Sequence, residues 1–110
     1  MPTLHLNLGE RFLISNTSAD IKGSSSLIRT IRRVRHAVGA RNLLDSKISL
    51  GDLYDRDDDL VDCEFSPDAW EWLVKTYNEK QDWPGVFADW VASLGEKLDA
   101  ERIASTVSKV

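Results

Sequence analysis

Three aspartates at alternate positions, Asp55, Asp57 and Asp59, are the first residues in this 110-residue chain with the spacing of a chemical site. In a calcium-binding EF-hand loop such acids occupy positions 1, 3 and 5, with glycine at 6 and a bidentate glutamate at 12. Those two positions hold Leu60 and Ser66 here, so the run predicts a solvated acidic connection rather than a calcium loop. Magnesium-dependent phosphodiester chemistry of the common restriction type needs a carboxylate and a lysine two residues apart on one strand. Asp68, Glu71 and Lys75 have helical spacing instead. Structural zinc needs about four Cys or His ligands, and the chain has only Cys63, His5 and His36. Cys63 with His36 is formally a thiol–imidazole pair. Yet Cys63 takes the inward phase of the alternating run Val61-Asp62-Cys63-Glu64-Phe65, where cysteine behaves as a small hydrophobe. The glycines are scattered as turn and cap residues, with no phosphate-cradling run. The expectation is no enzyme, no cofactor and no metal.

Recognition is the better use for the charges. Residues 1–45 carry seven Lys/Arg against three Asp/Glu, and residues 46–110 carry seven against fifteen. Such asymmetry fits two partners of opposite sign, or a fold that brings its halves together. Arg29, Arg32, Arg33 and His36 fall on one side of a helix, with Arg35 on the flank and Arg41 beyond its end. They can meet nucleic-acid phosphates, an acidic protein surface, or the chain's own acids around Asp55–Glu64. The net charge of −4 argues against nucleic acid. Trp72 stands two residues from Trp70 and so points away from the Trp70–Leu73–Tyr77 stripe. It is either an exposed interface anchor or a residue packed against the C-terminal helix. Asp57, Asp58 and Asp59 complete the candidate partner-binding set.

The elements that must position these residues are readable in part. Leu4-His5-Leu6-Asn7-Leu8 alternates as a short strand. Asn7 and Glu10 have capping-box spacing before a short helix through Phe12-Leu13-Ile14. Ser15 to Ser26 reads as a loop. A serine then caps a helix over 27–38, stopped by Gly39, with Leu27, Ile31, Val34 and Val38 as its apolar stripe. Ile48 and Leu50 predict a strand, residues 51–59 a polar loop, and 61–65 the returning strand of a hairpin, joined by 4–8 as a third strand. Ser66-Pro67-Asp68 starts the next helix, with Phe65 and Trp70 as a hydrophobic staple. That helix ends before Asp82-Trp83-Pro84-Gly85, where Trp83 reads as a plug between helices. Val86, Phe87, Trp90, Val91 and Leu94 share one face of a further helix. Asp99 caps a last segment carrying Ile103, Ala104 and Val107.

Three stretches together resemble a pattern of small uncharacterised phage proteins: Leu6-Asn7-Leu8-Gly9-Glu10-Arg11-Phe12-Leu13, Leu27-Ile28-Arg29-Thr30-Ile31-Arg32-Arg33-Val34-Arg35, and Phe65-Ser66-Pro67-Asp68-Ala69-Trp70. The resemblance covers residues 4–77 and implies a phage or prophage origin; it carries over no site residues. With one cysteine and neither an export signal nor a spanning segment, a cytoplasmic setting is expected, that of the host if the chain is phage-encoded. The whole reading is a single domain over 1–110, of α-rich α+β class, with three to four helices on a small hairpin or three-stranded antiparallel sheet. The expected function is non-enzymatic protein interaction, as an accessory protein or inhibitor of a host complex. The alternatives are a nucleic-acid-binding regulator using helix 27–38 and a structural virion component.

Overall fold

The computed structural model describes residues 2–19, 21–40, 50–55, 59–83 and 85–108. Its class is α-rich α+β. The elements in chain order are β1 (Thr3–Leu6), α1 (Leu8–Ala19), α2 (Ser25–Ala37), α3 (Leu50–Asp55), β2 (Val61–Glu64), α4 (Pro67–Glu79), a 3-10 turn (Gly85–Phe87) and α5 (Ala88–Ser108).

The alternation at both ends of the sheet holds, but the pairing is long-range. β1 runs antiparallel to β2 in the register Thr3↔Glu64, Leu4↔Cys63, His5↔Asp62, Leu6↔Val61. Leu4, Leu6 and Cys63 are buried, while His5, Asp62 and Glu64 are exposed. Of the expected hairpin partner, Leu50 opens α3 and is not in a strand. Leu50, Leu53 and Tyr54 stand at i, i+3 and i+4, a helical period inside a stretch that looked like polar loop. With β1 already supplying a ladder for β2, the described sheet has two strands. Ile48 and Arg41 lie outside the described residues.

Local capping explains where the helices begin. At α1 the Glu10 amide donates to Asn7 Oδ1 and the Asn7 amide to Glu10 Oε1, both at 2.9 Å, a complete capping box. α1 then continues into the expected loop as far as Ala19, while residues 21–24 are irregular as expected. Its polar residues satisfy themselves inside the helix: Thr17 Oγ1 donates to the Leu13 carbonyl at 2.8 Å and Ser18 Oγ to that of Ser15 at 3.0 Å. At α2, Ser24 Oγ accepts from the Leu27 amide at 3.2 Å, and Gly39 leaves the helix with φ +68°. At α4, Ser66 stands at the cap and Pro67 in the first turn. The Phe65 and Trp70 rings meet at 6.2 Å between centroids, so the staple forms.

Two glycines set how closely elements approach. A Cβ at Gly9 would lie 2.1 Å from Trp90 Nε1, and one at Gly95 would lie 2.2 Å from Tyr77 Oη. The Tyr77 hydroxyl donates to the Val91 carbonyl at 2.6 Å, so the phenol lies directly over the turn that contains Gly95. α5 therefore runs unbroken through Gly95, and Asp99 sits inside it instead of capping a separate segment. These glycines serve packing, not turns. Trp83 plugs the junction as expected, 5.6 Å from the Tyr77 ring and 5.4 Å from Lys80 Nζ.

One hydrophobic cluster joins all of this, with Leu6, Ile14, Val34, Phe65, Leu73 and Leu94 drawn from six different elements or their flanks. α2 packs on α1 and α4, while α1 packs on α5, which reaches β1. Arg29, Arg32, Arg33 and His36 on the outer side of α2 are exposed. Among the described residues no helix is long and apolar enough to cross a membrane.

Candidate interaction surface

α2 buries Ile31, Val34 and Val38 and exposes Arg29, Arg32, Arg33 and His36, the division the helical period dictates. The four cations do not share one environment. The Arg33 guanidinium is ion-paired with the Asp68 carboxylate at the start of α4, and Thr30 Oγ1 donates to the same oxygen at 3.0 Å. Ser66 Oγ donates to the other carboxylate oxygen at 2.5 Å. Together the Ser66 hydroxyl, Arg33 and Thr30 hold the Asp68 carboxyl well below the usual carboxylate range, against a smaller opposing effect of burial. Arg35 on the flank is half-buried and donates to the Ser15 carbonyl at 2.7 Å and Ser18 Oγ at 3.1 Å. Arg33 and Arg35 thus tie α2 to its two neighbours.

Arg29 and Arg32 have no hydrogen-bond or ion-pair partner among the described residues. They stand three residues apart, about 4.5 Å along the axis, with His36 one turn further on the same side. Ile28, 43% exposed, flanks them. The pairing of the basic helix expected with the chain's own acids around Asp55–Glu64 is not seen among the described residues: Arg33 takes Asp68 instead, and the Arg29–Arg32–His36 stripe faces outward.

Trp72 is half-buried against the core. It lines a groove of about 340 Å³ between the start of α2 and α4, with Leu27, Thr30, Asp68, Glu71 and Lys75. It lies on the Arg33 side of α2 and faces that helix. Asp59 is exposed just before β2; Asp57 and Asp58 lie outside the described residues.

The candidate chemical groups are not brought together. Cys63 is 1% exposed, and burial pushes its thiol up to about 11, partly offset by Arg11. It therefore stays protonated at neutral pH, while His36 sits on the outer side of α2. Among the described residues no group of three or more His, Cys, Asp or Glu could hold a metal ion.

Sequence reasoning missed one charged cluster. Glu10 is fully buried and serves more than its own cap. Lys97 Nζ donates to Oε1 at 2.5 Å and Ser93 Oγ to Oε2 at 2.8 Å, so α5 is clamped onto the start of α1. The capping-box spacing flagged Glu10; nothing local marks Ser93 or Lys97, which lie 83 and 87 residues away. No protein-family model, no curated protein and no solved structure matches the chain.

Proposed function

We propose that this chain is a non-enzymatic protein-interaction domain that binds an acidic surface of a partner through the outer side of α2. In that reading it is a phage-encoded accessory protein or inhibitor of a host complex. The observation that carries it is the contrast between Arg33 and Arg35, which are engaged by internal contacts, and Arg29 and Arg32, which have no hydrogen-bond or ion-pair partner among the described residues. Two like charges three residues apart repel by a few tenths of a kcal/mol, and no ion pair among the described residues offsets that cost. Arginine is among the residues enriched at protein interfaces, and the exposed Ile28 beside the pair adds apolar surface to cover.

The i, i+3, i+7 spacing of Arg29, Arg32 and His36 also suits a run of phosphates, which supports nucleic-acid binding as the second reading. One comparison separates the two. Native protein and the Arg29→Glu/Arg32→Glu variant are used side by side as baits in lysate of the native host, and in mobility shifts with duplex DNA at low salt. Retention of a protein by the native bait alone, with no DNA shift, supports the protein-partner reading. A salt-sensitive DNA shift lost in the variant moves the function to nucleic acid. Identical retention by both baits removes α2 from either role.

A further inference from the structure

The two-stranded sheet has two edges, and among the described residues the β1 edge has α5 alongside it with one of its outward groups bonded. In an antiparallel pair, residues that exchange backbone hydrogen bonds alternate with residues whose N–H and C=O point away from the partner strand. The Phe65 amide donates to the Pro2 carbonyl at 2.9 Å, which fixes the phase. Leu4↔Cys63 and Leu6↔Val61 are the bonded pairs, and the backbone groups of Thr3, His5, Asp62 and Glu64 point outward. On the β1 side Lys97 Nζ takes the His5 carbonyl at 2.7 Å, and α5 lies alongside. On the β2 side the outward N–H and C=O groups of Asp62 and Glu64 have no hydrogen-bond partner among the described residues.

We propose that this open edge of β2 takes up an extended, basic segment of a partner protein as a third strand. Charge selects the occupant. Asp62 and Glu64 are both exposed on the outer sheet face, and Asp59 is exposed just ahead of them. Asp62 engages the His5 imidazole across the sheet through Oδ1, leaving Oδ2 without a partner among the described residues. An added strand sets its same-face side chains roughly 5 Å from those acids, so Lys or Arg at alternate positions matches them. A second copy of β2 would set acid against acid, which is destabilising and is how edge strands avoid self-pairing. At the start of the strand Leu60 is 53% exposed and Val61 40%, so an apolar residue at that end of the segment has a surface to cover. This edge is distinct from the α2 face and opposite in sign, so each stands or falls alone.

The test is amide hydrogen exchange and chemical-shift mapping of the native ¹⁵N-labelled chain with a short unstructured peptide of alternating Lys and Thr ending in Val. The amides of Asp62 and Glu64 exchange freely in the isolated protein and become protected when the peptide is added; the same peptide with Glu for Lys has no effect. Glu64→Pro removes one outward N–H while sparing the Phe65–Pro2 bond, as proline does on edge strands. It binds the Lys peptide about fivefold to tenfold more weakly, the loss of one net hydrogen bond. Slow exchange of the Asp62 and Glu64 amides in the free protein, absence of binding at millimolar peptide, or binding that leaves those amides unprotected would overturn the proposal. The exchange readout uses the native chain, so it decides even where the proline variant does not fold.

Discussion

Glu10 and Lys97 at the α1–α5 crossing, and Arg29 and Arg32 on α2, are charged residues used in opposite ways. Glu10 is fully buried, and every contact it makes is internal: its own cap, a serine and an ammonium from α5. Arg29 and Arg32 are exposed and have no hydrogen-bond or ion-pair partner among the described residues. A buried carboxylate is tolerable only when its lone pairs are filled, so the first cluster must be complete and belongs to the fold. An exposed guanidinium costs little to leave without an ion pair, so the second is available for the partner proposed above. Completeness of internal partnering, rather than charge itself, separates the charges that hold the fold from those proposed for recognition.

Mutation breaks or sharpens that contrast in a graded way. Lys97→Met strips the ammonium from a carboxylate that water does not reach, and is expected to cost about 3 kcal/mol in urea unfolding. Adding Glu10→Gln to it restores part of the loss; full stability of the single variant would mean the clamp is ornamental. Gly9→Ala drives a methyl into the Trp90 indole and is expected to cost about 1–3 kcal/mol, with a change in tryptophan fluorescence. Gly95→Ala meets only the far end of Tyr77, which can withdraw at the loss of one hydrogen bond, about 1 kcal/mol. Asp68 holds α4 to α2 and sets an acid limb. Its carboxyl binds protons more weakly folded than unfolded. Its stabilisation is therefore full above about pH 4, the usual aspartate value, and is lost as pH falls further. Asp68→Asn flattens that limb in pH-dependent melting. Arg29→Glu with Arg32→Glu is expected to change stability by no more than about 0.5 kcal/mol, the smallest effect of the series.

The sequence was legible wherever the signal is local. The capping box at Asn7 and Glu10, the serine cap and glycine stop of α2, the Phe65–Trp70 staple and the Trp83 plug are all formed by residues within a few positions of one another. The α-rich α+β class follows from those pieces. What the pattern could not supply was long-range. β2 pairs with β1 at the far end of the chain, so residues 50–55 were free to take the helical period that their leucines and tyrosine carry. Ser15 to Ala19 looked like loop because propensity does not register that Ser15 and Ser18 are buried where Arg35 reaches them. Asp99 has the look of a cap, yet tertiary packing keeps α5 continuous through it. Of the candidate site, the exposure of Arg29, Arg32 and His36 was readable from the period. The capture of Arg33 by Asp68, and the seating of Trp72 on the α2 side, depend on how α2 and α4 cross, which no periodicity encodes.

The most direct measurement is an amide chemical-shift titration of the ¹⁵N-labelled chain with polyglutamate, at low and at physiological salt. The α2 assignment predicts shifts centred on Ile28, Arg29, Arg32 and His36. They should shrink as the Debye length falls from about 30 Å at 0.01 M to about 8 Å at 0.15 M salt. Shifts centred elsewhere, or none at low salt, would contradict it.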